Sequence, residues 1–175
     1  MTMTSDPKDG KPTTQSKPVL LTVCTTDAMS DYLAREAAHQ ARAAKLRKGN
    51  KQALLAALAA VGVSRLTVTF DGYGDSGQIE SVEAVDAAGA TLPLPDEPSI
   101  PLRAAVWDKA EPKNHPLPLR EAVEWFAYDL LSSLHGGWEI NEGSYGDILF
   151  NVGAATITLD MNTRFTGSEQ HLTTI

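Results

Sequence analysis

The chain has 175 residues, 42% of them hydrophobic and 21% charged, which suits one globular domain and leaves too little length for two. No apolar run reaches the length of a membrane span, and a single cysteine, Cys24, excludes an intramolecular disulfide and a multi-cysteine zinc site. The net charge of −7 is uneven: residues 1–65 hold ten Lys/Arg against five Asp/Glu, residues 66–175 five against seventeen, an acidic body that disfavours phosphate backbones and suits a basic partner or a cation.

Residues 1–17, MTMTSDPKDGKPTTQSK, have almost nothing to bury and read as a disordered tail. Pro18–Cys24 is a short apolar run that fits either a strand or the lead into a helix. Met29–Lys48 is rich in alanine and free of Gly and Pro, which predicts a helix. Its apolar stripe is thin (Tyr32, Leu33, Ala37, Ala41, Ala44), and Arg35, Arg42, Lys45, Arg47 and Lys48 make the other faces basic. Gly49 is the expected stop, and Asn50 the expected cap of a second helix through Val61.

From Arg65 to Phe70 the alternation of Leu66, Val68 and Phe70 with Thr67 and Thr69 predicts a half-buried strand. A loop, Asp71–Gly77, leads to a second strand at 78–85, and a turn-rich stretch at 87–98 leads to a third at 100–107, which Pro101 places at an edge or makes start late. Residues 117–134 carry apolar side chains at 119, 122, 123, 126, 127, 130, 131 and 134, an amphipathic helix that His135-Gly136-Gly137 ends. Two further strands, 147–152 and 156–160, form a hairpin around Gly153-Ala154, with 161–165 as an extension. Residues 166–175 read as a frayed tail. The expected architecture is a single α+β domain over 18–165: a mostly antiparallel sheet of five or six strands, the 118–134 helix on one face, and Ala-rich N-terminal helices beside it.

Two stretches stand out. Asp71–Gly77 and Gly136–Gly146 together hold seven of the thirteen glycines, with Asp71, Asp75, Glu139 and Glu142 and the aromatics Tyr73, Trp138 and Tyr145 interleaved. Dense glycine means positive φ or a close approach to backbone, and carboxylates with aromatics on loops favour a binding surface. An EF-hand fails on spacing, because Tyr73, Ser76 and Val82 occupy ligand or glycine positions. Gly74-Asp75-Ser76-Gly77 is like the segment around a trypsin-type nucleophile for only four residues, and no suitable histidine accompanies it. Each loop precedes a strand; if the two strands run the same way, both loops emerge at one end. Tyr73, Trp138 and Tyr145 would then form an aromatic floor rimmed by acids, suited to an Arg- or Lys-bearing partner.

FDGYGDSGQIE (Phe70–Glu80), AYDLLSSLHGGWEINEGSYG (Ala127–Gly146) and the closing ATITLD resemble an uncharacterised bacterial domain-of-unknown-function family, over about Leu54 to Phe165. The resemblance implies a bacterial cytoplasmic protein, in a family associated with proteobacterial chromosomes, plasmids and other mobile elements; it brings no activity or cofactor with it. The leading expectation is a non-enzymatic accessory protein that engages a protein partner through Tyr73, Asp75, Trp138, Glu139, Glu142 and Tyr145. A mobile-element setting admits an anti-defence role. One alternative is a divalent-cation-dependent hydrolase or metal-stabilised domain on Asp71, Asp75, Glu139 and Glu142. A second is nucleic-acid contact through Arg35, Arg42, Lys45, Arg47, Lys48 and Lys51.

Overall fold

The computed structural model describes residues 23–175, with side chains from residue 27 onward; the expected tail at 1–17 and the first five residues of the Pro18–Cys24 run lie outside the described residues. The chain divides into two compact units, residues 1–37 and 38–175. In the first, the described part is the opening stretch of helix α1 (Val23–Ala60), in which the side chains of residues 27–37 are exposed apart from half-buried Glu36. Apart from Arg35, the residues described below belong to the second unit.

The expected break at Gly49-Asn50 does not occur: α1 runs through it without interruption. A glycine inside a helix costs only about 1 kcal/mol relative to alanine, and the turns beyond it place Leu54, Leu55 and Leu58 in the core. That burial is the larger effect. Asn50 is no cap either; it is buried at 3% exposure and turned towards a neighbouring strand.

Strands β1 (Arg65–Tyr73), β2 (Ser76–Val85), β5 (Ser144–Asn151) and β6 (Thr156–Thr163) form a four-stranded antiparallel sheet in the order β2-β1-β5-β6. Strands β3 (Ile100–Ala104) and β4 (Lys113–Leu117) pair separately as a two-stranded ribbon. The six strands are thus split between two sheets, with β3 ending sooner than expected and the polar β4 not foreseen. Pro101 faces Pro116 across the ribbon, so ladder donors are missing on both strands, as befits a short edge hairpin.

Helix α2 (Leu119–Leu134) lies on one face of the large sheet and buries Leu119, Ala122, Val123, Phe126, Ala127 and Leu131. Phe126 meets Phe150 of β5 at 6.3 Å, tilted by 61°. Leu66, Val68 and Phe70 of β1 and Ile148 of β5 complete that layer. The last member of the expected stripe, Leu134, is exposed where the helix leaves the sheet. In β2 the inward positions shift from Gly77 and Ile79 to Val82 and Ala84, because the ladder slips between Thr69 and Phe70 and leaves Glu80 as the extra residue of a β-bulge. At this bulge the Ile79 N–H donates to the Tyr128 hydroxyl of α2 at 3.1 Å. The opposite face of the sheet is polar and open, carrying Thr69, Asp71, Glu80, Glu83, Asp147 and Asp160.

Candidate functional site

Strands β2 and β5 are both antiparallel to β1 and therefore run the same way, which brings the two glycine-rich segments to one end of the sheet. The first segment is less loop than the spacing suggested. The β1–β2 ladder continues to Tyr73 opposite Ser76, leaving a two-residue turn, Gly74-Asp75, with φ of +61° and +70°. Positive φ at both central residues is the hairpin geometry that matches strand twist. The second segment folds back against this turn. Gly74 N–H donates to the Asn141 carbonyl at 2.8 Å, and Asp75 N–H to the Glu139 carbonyl at 3.2 Å. Asn141 N–H in turn donates to Asp75 Oδ1 at 3.4 Å.

Trp138 explains much of the glycine. It is only 5% exposed, edge-on to Phe70 at 5.5 Å, and its indole lies against Gly72 and Gly77. A Cβ at Gly72 would come within 2.9 Å of the indole, one at Gly77 would overlap it, and one at Gly143 would overlap the Gly72 carbonyl. These residues are seats for an inward tryptophan and for the returning loop. The expected aromatic floor is therefore corrected: Trp138 belongs to the core, while Tyr73 (68% exposed) and Tyr145 (44% exposed) remain on the surface.

Arg164, just past β6, ties this end together. Its Nη1 donates to Asp71 Oδ1 at 2.8 Å and to the Gly72 carbonyl at 2.9 Å, and its Nη2 donates to Asp71 Oδ2 at 3.0 Å. Its guanidinium carbon sits 4.5 Å from the centre of the Tyr145 ring. The backbone N–H of Arg164 donates to the Gly143 carbonyl at 3.0 Å. The hydrogen bond from Arg164 holds the Asp71 carboxyl below the usual carboxylate range, and Asp71 raises the guanidinium above its own.

The remaining candidates are dispersed. Asp71 is occupied by Arg164, and Asp75 accepts from the Asn141 backbone. Glu139 and Glu142 are half-buried, with Glu139 Oε2 buried and without a hydrogen-bond partner. Among the described residues no three His, Cys, Asp or Glu side chains gather as metal ligands, so Asp71, Asp75, Glu139 and Glu142 form no such centre. The basic residues of α1 also differ in setting. Arg35 is exposed in the first unit, and Lys45 and Lys48 are exposed in the second. Arg47 pairs with Asp129 of α2 at 2.7 Å, and Arg42 and Lys51 are half-buried.

Sequence reasoning missed Arg164, Asp147 and Asp160. The only signal for Arg164 was its being one of five cations in an acidic stretch; its partner Asp71 lies 93 residues away. Asp147, held by the Thr69 hydroxyl at 2.7 Å, was visible only as an outward strand position. A concavity of about 480 Å³ opens here, bounded by Asp71, Tyr73, Gln78, Glu80 and Arg164. A smaller one of about 230 Å³ adjoins it, with Glu80, Tyr145, Asp147 and Asp160 on its walls.

No helix among the described residues is long and apolar enough to cross a membrane. No curated protein and no solved structure matches the chain. Residues 46–175, which include α2 and both sheets, match the model of a family of unknown function, DUF6878, and the chain belongs to that family.

Proposed function

We propose that this protein is a non-enzymatic bacterial accessory protein of the cytoplasm that engages a basic protein partner through the loop end of its large sheet. The observation that carries this reading is Tyr73, exposed at the lip of a concavity whose other walls carry Asp71 and Glu80. An aromatic face beside carboxylates recognises guanidinium and ammonium groups by cation–π attraction and charge-assisted hydrogen bonds. Arg164 against Tyr145 and Asp71 is an intramolecular instance of the same chemistry at the same end. The partner would add a second cation beside Tyr73, with Asp75, Glu139 and Glu142 supplying the acidic rim. The bacterial and mobile-element setting, with its anti-defence role, rests on the motif resemblance and the acidic body.

An array of Arg- and Lys-bearing peptides probed with the full chain tests this. Binding of cationic peptides is expected, at least tenfold weaker in Tyr73→Ser and in Glu80→Gln. Equal binding by both variants, or none by the parent protein, overturns it.

A further inference from the structure

We propose that a cleft between α1 and the β3–β4 connection binds a nucleoside polyphosphate. The cleft has a volume of about 430 Å³, within the roughly 300–1,000 Å³ of small-ligand sites. Arg42 and Lys45 project into it from α1, Arg103 from β3 and Lys109 from the connection. This site is separate from the acidic sheet end and does not depend on the reading given above.

Three features set these cations apart from an ordinary solvated face. The ion pairs of Arg47, Arg120, Arg164 and His171 do not involve the four cations of the cleft. Four positive groups against the one carboxylate of Glu111 leave the concavity net positive, which favours entry of a further anion. Next, Arg42 Nε is buried and has no hydrogen-bond partner; a buried donor left unmade costs free energy that an incoming acceptor recovers. Finally, Arg103 is seated: both of its backbone polar groups are bound by the Asn50 side chain, and its Nη2 lies 3.8 Å from where a Cβ on Gly49 would stand.

The chemistry of the walls selects among anions. Several cations suit an oligophosphate better than a single carboxylate, with the two arginines offering paired donors to phosphate oxygens. Leu46, Val106 and Pro112 give the cleft an apolar side where a nucleobase can be covered, and Glu111 supplies the lone carboxylate, an acceptor for ribose hydroxyls or a base amino group. A polymer track would call for a basic groove with a series of stacking aromatics along it, whereas the cations here gather in one cleft with a single exposed aromatic, Trp107, on the same connection.

Isothermal titration of the full chain with ATP, inorganic phosphate and a single-stranded oligonucleotide tests the assignment. ATP is expected to bind saturably and at least tenfold tighter than inorganic phosphate. Arg103→Gln and Lys109→Gln should each weaken ATP about tenfold, whereas Arg120→Gln, on α2, should leave it unchanged. Lys109 is exposed on the connection, so its variant keeps the fold if Arg103→Gln does not. Absence of saturable ATP binding overturns the proposal, as does unchanged affinity in Lys109→Gln. Binding of the oligonucleotide without ATP also overturns it, and would mark a nucleic-acid surface instead.

Discussion

Asn50 satisfies both backbone polar groups of Arg103: its Oδ1 accepts the Arg103 N–H at 3.0 Å, and its Nδ2 donates to the Arg103 carbonyl at 2.8 Å. A helix side chain thus does for β3 what a neighbouring strand would do, and ties the two-stranded ribbon to α1. Replacing it by alanine leaves two ribbon groups unmatched in a part-buried setting. Asn50→Ala is expected to destabilise the protein by about 1–3 kcal/mol in urea titration. Amide hydrogen exchange should show Arg103 losing protection while β1 and β5 keep theirs.

The seats of Trp138 give a graded set. Gly77→Ala, whose Cβ would overlap the indole, is expected to cost about 1–3 kcal/mol. Trp138→Ala, which empties the same space, should cost about 3–5 kcal/mol. At Gly74, φ is also positive but nothing stands within 4 Å of an added Cβ, so alanine there meets only the left-handed backbone penalty of about 1–2 kcal/mol. With Trp107 and Trp125 replaced by phenylalanine, Trp138 fluorescence should shift in Gly77→Ala and stay constant in Gly74→Ala.

Asp71 supplies a pH signature. Because its folded carboxyl titrates lower than in the unfolded chain, its contribution is complete above the ordinary carboxylate range and is lost as pH falls through the lowered value. The affected window therefore lies below about pH 4. Arg164→Gln removes the depression: its melting temperature should fall below that of the parent at neutral pH, and the two curves should converge in strong acid. A constant gap at every pH would assign the loss to packing on Tyr145 instead.

Gly49 is an opportunity to stabilise. Its helical backbone accepts a side chain, and an added Cβ would meet nothing nearer than Arg103 Nη2 at 3.8 Å, an ordinary contact. Gly49→Ala is expected to raise stability by about 0.5–1 kcal/mol, read as a higher urea midpoint at unchanged slope.

Divalent cations should leave the melting temperature where EDTA leaves it, because Asp71, Asp75, Glu139 and Glu142 do not gather as ligands. A site at a hundred times its Kd would add about 2.7 kcal/mol. A shift of that size, abolished by Asp75→Asn, would favour the metal alternative over the partner-binding reading.

Helix α2 and strand β1 could be read from the chain because their periodicity is set by burial on one side, which leaves a local trace in residue order. Strands β2 and β5 could be placed just after the two glycine-rich segments, which allowed both loops to share one end. Gly49-Asn50 misled because local stop and cap chemistry was outweighed by burial further along the helix and by a strand met fifty-three residues later. Trp138 misled for a related reason: a tryptophan among glycines looks exposed until the glycines are seen to be the surface it lies on. β4, with its polar KNHPL, has no alternating pattern to find. Arg164 and Asp71 meet only through the sheet order, which no local spacing records.

Arg164 also marks where this unit can be shortened. Its backbone and guanidinium close contacts to Gly143, Asp71, Gly72 and Tyr145, while residues 166–175 run exposed and without regular structure. A chain ending at Gly167 keeps every one of those links; a chain ending at Asn162 loses them all and leaves the returning loop without its clasp. The loop end of the sheet is therefore completed only by the last few residues of the folded body, and a ribosome must deliver them before the acidic end can take its final form.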